Sequence, residues 1–176
     1  MKKNIFVFVI SMLVTVGLII FALQATPSYL MKKRNEVYLQ EAGGFNKFYH
    51  QQLPDSDFDA FVSPSPDLLY SYLVFDVSRA AILVEFPVHA EFWVNQMVGD
   101  NTDTFAYVGY KDQLDRPIRL VLFNHESPMF EAPEDAKLIE APSNTGTFLL
   151  RYLIRNKRDL AEIDAKRRLV KVVELN

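Results

Sequence analysis

The side chains best suited to chemistry stand at the starts of short apolar runs. In the stretch "SPDLLYS", Asp67, Tyr70 and Ser71 lead into the run "YLVFD". A carboxylate within hydrogen-bond reach of a tyrosine hydroxyl can act as an acid/base pair. A second polar group, Asn101 and Asp103, precedes the apolar run that starts at Thr104. Trp93 lies between the two polar groups along the chain. The residues that could line a cleft at these strand ends are Asp67, Tyr70, Ser71, Trp93, Asn101 and Asp103.

The same residues also have a purely structural interpretation. Asp and Asn are favoured in turns because their side chains bond to nearby backbone groups. A buried tyrosine usually has its hydroxyl satisfied by a hydrogen bond. On this interpretation Asp67 holds a turn and Tyr70 packs inward at the start of a core strand. We favour the structural interpretation and keep the cleft as the alternative.

Histidine, the commonest acid, base and metal ligand, forms no recognisable motif. His50, His89 and His125 lack the spacing that would put two imidazoles on one helix face, so we interpret them as surface or capping residues. Cysteine is absent, which excludes thiolate nucleophiles and cysteine-bound zinc. The chain also has no nucleophile elbow, Walker loop or dinucleotide-binding glycine motif. No metal or cofactor is predicted.

The N-terminus predicts a membrane anchor. Residues 5–23 carry no charge, and 19 helical residues extend roughly 28 Å, close to the thickness of the hydrocarbon core of a bilayer. A cleaved signal peptide has an apolar stretch of only about 7–15 residues, so the length favours an anchor over cleavage near Ala25. We place the anchor at residues 1–27. A juxtamembrane helix is predicted over residues 28–44, from Ser28 to the Gly43-Gly44 pair.

The remainder of the chain is acidic. Five of the 19 basic residues lie in residues 1–34, which have no acid, so the rest carries 14 basic against 22 acidic residues. Binding to a phosphate backbone needs clustered Lys and Arg on one face. We therefore expect no nucleic-acid partner.

Short apolar runs at regular intervals predict a β-rich domain over residues 45–176. In "TFLLRYLIR", Phe148, Leu150, Tyr152 and Ile154 alternate with the remaining residues, which is the period of a strand. Turn signals separate the runs, and this spacing predicts an antiparallel β-sandwich or a jelly-roll-like domain. The predicted strands are Leu68–Phe75, Ala81–Phe86, Phe92–Val98, Thr104–Tyr110, Ile118–Phe123, Thr147–Arg155 and Leu169–Leu175.

One C-terminal helix is predicted from "RDLAEIDAKRR". Asp159 stands three residues before Glu162, as in a capping box, and the acids of this segment precede its bases, which complements the helix dipole. Leu160 and Ile163 form a narrow apolar stripe that can dock on the sheet. We interpret the basic run at its end as helix electrostatics.

Two stretches resemble a known family. "SPDLLYSYLVFDVSR", followed by "EFWVNQMVGDNTDTFAYVG", is similar to the bacterial domain-of-unknown-function family 1254, and the resemblance covers roughly residues 40–175. The anchor followed by "AGGFNKF" resembles the short, membrane-anchored branch of that family. The chain departs from the family pattern at Ser65 and Gly99, where Asn and Asp are common. The recurring pattern falls on Asp67, Leu69, Tyr70, Ser71, Asp76, Ser78, Phe92, Trp93, Thr102, Asp103, Phe105 and Gly109.

The resemblance implies a β-rich domain, which longer relatives join to a second domain, numbered 1214. Short relatives are often encoded beside a separate small protein of that second kind. We therefore expect a single-pass protein of the bacterial inner membrane, with a periplasmic β domain that binds a small membrane protein carrying the complementary domain. The alternative is a periplasmic small-molecule-binding or hydrolytic domain with a polar cleft at its strand ends.

Overall fold

The computed structural model describes residues 2–52, 65–88, 92–112 and 115–175. His89 and the acidic stretch 55–59 lie outside the described residues. Two short 3-10 helices occupy Tyr110–Asp112 and Lys157–Asp159. The other elements, in chain order, are α1 (Lys2–Ala42), β1 (Phe48–His50), β2 (Leu68–Asp76), β3 (Ala81–Phe86), β4 (Trp93–Gly99), β5 (Thr104–Gly109), β6 (Ile118–Phe123), β7 (Lys137–Glu140), β8 (Thr145–Leu153), α2 (Leu160–Arg167) and β9 (Lys171–Leu175).

Helix α1 is one continuous helix of 41 residues with Pro27 inside it. The helix does not break at Ser28, where a second helix was predicted to start. The division into an anchor and a juxtamembrane segment stays a prediction. A proline inside a helix removes one backbone hydrogen bond, and the packing of the later turns on the sheet outweighs that cost. Met31, on one of those turns, is only 2% exposed. The predicted stop is confirmed, because Gly43 adopts φ 73° and the Gly44 N–H donates to the Leu39 carbonyl.

The β domain is a sandwich of two sheets. One sheet has the order β1-β2-β8-β4-β5 and the other β7-β6-β3-β9. All strand pairs are antiparallel except β6 and β7, which run parallel, so the predicted purely antiparallel arrangement is corrected at that one pair. The predicted fold class, mainly β with a C-terminal helix and an apolar N-terminal helix, is confirmed.

The core lies between the two sheets. Alternate residues of β2 and β8 point inward, and the predicted inward set of β8, with Phe148, Leu150 and Tyr152 at 0% exposure, is confirmed. Phe86 of one sheet stacks on Trp93 of the other, with ring centroids 5.1 Å apart. At the other end of the sheet, Gly146 makes room for the Phe75 ring, because a Cβ there would lie 2.5 Å from Cζ of that ring. The close packing of these side chains fixes how the two sheets face each other.

All seven predicted strands exist, and two further strands do not follow from the sequence pattern. β1 has only three residues, and β7 has four, of which only Ile139 is buried. Such short segments contain too little apolar alternation to be recognised. They are held by pairing with β2 and β6, which the sequence pattern cannot reveal.

Helix α2 docks as predicted, but its start differs from the prediction. Ile163 is 3% exposed and Leu160 packs against the same core. Asp159 makes no capping hydrogen bond through its side chain. Asn156 instead caps the preceding 3-10 turn, where its Oδ1 accepts from the Arg158 N–H at 3.1 Å. The insertion of this 3-10 turn moves the cap three residues upstream.

Candidate functional site

The six predicted site residues lie at opposite ends of the five-stranded sheet. The cross-strand row Leu69, Tyr152 and Trp93 stands at one end. The row Gly99 and Gly146, which leads into the turn with Asn101 and Asp103, stands at the other. Strand β8 separates these rows by about 20 Å at roughly 3.3 Å per residue. The structure brings Asp67, Tyr70, Ser71 and Trp93 to one end and does not bring Asn101 and Asp103 to them.

The turn between β4 and β5 uses its own polar groups. Asn101 Nδ2 donates to Asp103 Oδ2 at 2.7 Å, and Asn101 Oδ1 accepts from the Asp103 N–H at 3.1 Å. The Gly99 N–H donates to the Asp103 carbonyl at 2.9 Å. These are the local side-chain and backbone bonds of a turn. Asn101 and Asp103 therefore shape the link between two strands.

The turn before β2 is organised by Ser65, where we expected Asp67. The Ser65 carbonyl accepts from the Leu68 N–H at 3.2 Å, and the Ser65 N–H donates to the Tyr70 hydroxyl at 3.0 Å. Asp67 is exposed, and its backbone carbonyl accepts from the Ile154 N–H. The Tyr70 hydroxyl is thus engaged by backbone and not by the Asp67 carboxylate.

The strand that follows places Ser71, and not Tyr70, in the interior. Tyr70 is half-buried on the outer face of the sheet, where its ring lies 6.3 Å from that of Tyr72. The prediction that Tyr70 packs inward is wrong, because strand alternation starts from the buried Leu69. Trp93 is 0% exposed and stacks between Phe86 and Tyr152, so it is a core residue.

Ser71 meets a histidine that we interpreted as a surface or capping residue. His50 lies directly opposite Ser71 in the β1–β2 pair, and His50 Nδ1 is 2.9 Å from Ser71 Oγ. Ser71 is 0% exposed. The pairing of β1 with β2 brings these two residues together, and no strand is predicted at β1 from the sequence pattern. By contrast His125 is an exposed residue beside Glu126, as expected of a surface histidine.

A buried arginine joins this pair to helix α2. The Arg167 side chain is 1% exposed and reaches from the last turn of α2 into the β1–β2 region. Its Nη1 donates to the Tyr70 carbonyl at 2.5 Å, its Nη2 donates to the Gln51 carbonyl at 2.7 Å, and its Nε donates to Asp164 Oδ1 at 2.7 Å. Nη1 also lies 3.4 Å from Ser71 Oγ. We call His50, Ser71, Asp164 and Arg167 the Arg167 cluster.

Burial and charge set the protonation of the cluster. Burial, followed by the nearby Arg167 and Arg168 charges, lowers the pKa of His50 to about 4, against a weaker opposite effect of Asp164. Burial alone would raise the pKa of Asp164, but hydrogen bonds from Arg168 and Arg167 outweigh it and lower that pKa. His50 is therefore neutral near pH 7, and its Nδ1 can accept from the Ser71 hydroxyl.

The cluster can do two things chemically. A serine hydroxyl bonded to a neutral imidazole has the geometry of a nucleophile and its base. The same bonds also fasten α2 to the sheet, because Arg167 satisfies two backbone carbonyls of different segments. Among the residues that the structure describes, no three His, Asp or Glu side chains gather as a metal site.

Helix α1 covers part of the outer face of the five-stranded sheet. Tyr38 stacks on Tyr72 with ring centroids 4.1 Å apart, and Thr147 Oγ1 donates to Asn35 Oδ1 at 2.7 Å. Since Thr147 pairs with Val74, the apolar start of α1 points beyond the Asp76 end of β2. The Arg167 cluster lies near the other end of that strand.

A groove of about 160 Å³ opens beside α1 on this outer face. Arg34 forms its wall on the helix side, and Gln96 and Leu149 lie on its floor. Across the groove, strand β5 presents Tyr107, which is 57% exposed. The outer face is thus covered over β2 and open over β4 and β5.

Sequence reasoning missed the two residues that organise the cluster. Arg167 looked like one of three bases at a helix end, and His50 stood in a segment without strand signals. One signal was available: Arg167 lies four residues after Ile163, on the face of α2 that docks on the core. An arginine on the face of a helix that docks on the core is buried, so its guanidinium N–H groups need hydrogen-bond acceptors there.

Replacing Arg167 tests whether its hydrogen bonds hold α2 on the sheet. Arg167→Met keeps the apolar stem but removes the guanidinium donor from the Gln51 carbonyl and one of two donors from the Tyr70 carbonyl, which also accepts from the Gln51 N–H. It also leaves Asp164 without its buried partner, so we expect a loss of about 2–4 kcal/mol in the free energy of unfolding. Urea unfolding of the detergent-solubilised protein, followed by fluorescence of the single tryptophan, Trp93, measures it. The matched control is Arg168→Met, whose half-exposed guanidinium also binds Asp164 and should cost under about 1 kcal/mol. Equal losses in both variants would contradict the assignment.

The low pKa of His50 predicts a pH dependence of stability. The unfolded chain binds a proton near pH 6.5 and the folded protein only near pH 4, so stability is fully present above pH 6.5 and declines as the pH falls towards 4. Allowing for solvent at the half-exposed ring, we expect a decline of roughly 1–2 kcal/mol that His50→Gln abolishes. Urea midpoints at pH 7 and pH 4.5 measure it. His125→Gln, at an exposed histidine, should keep the wild-type decline, and a wild-type decline in His50→Gln would refute this account.

A solved structure with low sequence identity shares this fold. The structure of the VPA0106 protein from Vibrio parahaemolyticus matches with a TM-score of 0.61 and 14% identity, over 84% of this chain and 36% of that chain. An uncharacterized protein from Burkholderia cenocepacia matches with a TM-score of 0.49 and 17% identity, over 82% of this chain and 39% of that chain. The chain therefore spans little more than a third of either protein.

A sequence model of a protein family matches most of the chain. None of the curated proteins compared with this chain matches it. The model described as "Protein of unknown function (DUF1254)" matches residues 45–174, which is more than half of the 176 residues and includes every strand of the sandwich. The resemblance seen in the sequence is confirmed, and the chain belongs to the DUF1254 family of proteins of unknown function.

Proposed function

We propose that this protein is a membrane-anchored envelope protein of unknown activity whose β domain binds a separately encoded partner domain. The observation that carries the proposal is the half-covered outer face of the five-stranded sheet. Helix α1 packs over β2, while the groove beside Arg34 and the neighbouring Leu149 and Tyr107 remain open. Open apolar and aromatic surface next to a shaped groove is typical of protein interfaces.

The anchor part of the proposal rests on the first half of α1. One helix, Asn4–Ala42, is long and apolar enough to span a membrane, and its most apolar window is 0% buried against the rest of the protein. A helix that is apolar on all sides needs a nonpolar environment, which a bilayer supplies. Because α1 continues without a break onto the sheet, it would hold the domain at a fixed height above the bilayer. We place the domain on the periplasmic side of the bacterial inner membrane.

The partner part of the proposal rests on the fold comparison. The match covers 36% of the Vibrio protein, so in that protein the shared fold is joined to further chain. We propose that the β domain of this protein binds a complementary domain that is separately encoded. A small membrane protein carrying a domain of the 1214 type has the required chemistry, because both anchors would hold the two domains in one plane and raise their effective concentration.

A crosslinked pull-down of the full-length, C-terminally tagged protein from native membranes tests the proposal. We expect one stoichiometric membrane partner, identified by mass spectrometry and lost in Leu149→Glu, because a charge on the groove floor opposes an apolar contact. The matched control is Leu138→Glu, at a 55% exposed leucine of the other sheet, which should retain the partner. Trp93 fluorescence verifies folding of both variants. A monomer with no enriched partner would count decisively against the proposal.

A hydrolytic or ligand-binding role is the second candidate, and the contact between Ser71 and His50 favours it. In this role Ser71 is the nucleophile, His50 its base, and Asp67 and Tyr70 border the same end of the sheet. We expect Ser71→Ala to reproduce the phenotype of a deletion strain while Trp93 fluorescence stays native. Ser78→Ala, at an exposed turn serine, is the control and should behave as wild type. Full complementation by Ser71→Ala would remove this candidate.

A further inference from the structure

A pocket of about 390 Å³ opens where α1 leaves the five-stranded sheet. The helix contributes one stripe to it, in which Ser28, Lys32 and Asn35 follow one another at helical spacing. The sheet contributes Thr145, the first residue of β8, and Asp100, which directly follows β4. We call the space between these five residues the α1 pocket. Its volume lies in the range of small-molecule sites.

The two walls of the α1 pocket carry opposite charges that do not pair with each other. Lys32 on the helix and Asp100 on the sheet are both exposed, and neither forms an ion pair with a described residue. Asn35 Oδ1 accepts from Thr147, which leaves the Asn35 amide nitrogen and the Ser28 hydroxyl without a partner in the described part of the chain. The helix wall thus offers hydrogen-bond donors, and the sheet wall offers a carboxylate acceptor.

The α1 pocket stands near the height of lipid headgroups when the apolar half of α1 spans a bilayer. The uncharged run ends at Leu23, and Ser28 and Lys32 lie roughly 8 and 14 Å further along the helix axis. The headgroup layer is roughly 5–8 Å thick on each side, and helix tilt and the long lysine side chain bring the Lys32 ammonium into it. Tyr29, beside Ser28, is 61% exposed, and tyrosine is enriched at this depth.

We propose that the α1 pocket binds the headgroup of a zwitterionic phospholipid with a primary ammonium group, phosphatidylethanolamine. The lipid phosphate would accept from Lys32 and from the Asn35 amide, and the lipid ammonium would donate to Asp100. Met31 and Val74, each 2% exposed, form an apolar floor on which the two methylenes of the ethanolamine can pack. The inference rests on the anchor of the proposed function and adds a lipid ligand to it.

The charges of the α1 pocket distinguish this headgroup from other lipid headgroups. Phosphatidylglycerol carries a phosphate but no cation, so it leaves Asp100 unpaired and is repelled by it. The exposed Asp103 of the same turn adds to this repulsion. The quaternary ammonium of phosphatidylcholine has no N–H group to donate to a carboxylate. A bound phosphatidylethanolamine would hold the Asp100 end of the sandwich against the bilayer and leave the groove beside Arg34 open to a partner.

Native mass spectrometry of the delipidated full-length protein in detergent micelles tests the lipid preference. Phosphatidylethanolamine and phosphatidylglycerol with identical acyl chains are titrated separately, and the fraction of protein with one bound lipid gives each Kd. We expect phosphatidylethanolamine to bind at least about fivefold more tightly, the effect of one partly exposed ion pair. Equal affinity for the two lipids would overturn the proposal. Soluble phosphoethanolamine that binds as tightly as the lipid would also overturn it, because the ligand would then not be a membrane lipid.

Substitutions on the two walls should have different effects. Asp100→Asn should remove the preference, so that the two lipids bind within about twofold of each other. Lys32→Gln should weaken both lipids by about fivefold, because both carry the phosphate. Asp103→Asn and Lys33→Gln change neighbouring charges outside the pocket and should bind as wild type, and Trp93 fluorescence verifies folding of all four variants. Equal effects of the pocket variants and their neighbours would refute the assignment.

A separate measurement distinguishes this site from the anchor on which it rests. Alkaline carbonate should leave the protein in native membranes, because a spanning helix is not extracted by high pH. Extraction of the protein would overturn the anchor, and with it the proposed function. A protein that stays in the membrane but shows no lipid preference would overturn only the headgroup site, and the partner recovered in the pull-down would be unaffected.

Discussion

The buried guanidinium of Arg167 holds together three parts of the chain that are far apart in sequence. It joins the end of α2 to the carbonyls of Gln51 and Tyr70, and Asp164 balances its charge. Taking a charge out of water is costly, so such a group persists only where several acceptors surround it. Here the acceptors are the Gln51 and Tyr70 carbonyls and the Asp164 carboxylate. Arg167 therefore helps to position α2 and the segment after β1, and its charge adds to the effect of burial in lowering the pKa of His50.

The outer face of the same sheet connects the domain to the apolar helix. Tyr38 on Tyr72 and Asn35 with Thr147 fix the direction of α1 along β2. Burial raises the pKa of both tyrosines, so their hydroxyls stay neutral in this contact. The sheet therefore has two inequivalent ends: the turn with Asn101 and Asp103 on the side towards the apolar segment, and the Arg167 cluster away from it. Any binding or chemistry of the domain takes place with this fixed orientation.

Local sequence patterns are enough to predict the sandwich. They do not predict the hydrogen bonds between residues that are far apart in the sequence. The alternation from Phe148 to Ile154 predicts a strand, and the uncharged run of residues 5–23 predicts an apolar helix. The structure confirms both elements. β1 and β7 exist because neighbours pair with them. The Arg167 cluster could not be predicted, because its members are far apart in the sequence. Ser71 lies 21 positions after His50 and 96 positions before Arg167, and no spacing rule spans such distances.

The polar side chains that first suggested chemistry are, in the described residues, largely engaged by their own surroundings. Asn101 bonds to Asp103, and the Tyr70 hydroxyl accepts from the Ser65 N–H. On the described surface, the groove between α1 and the five-stranded sheet stays open. Side chains that satisfy one another stabilise a fold, whereas uncovered apolar surface beside a groove is available for contact with another chain. The groove therefore supports the proposed binding role, whereas the contact between Ser71 and His50 supports the catalytic alternative.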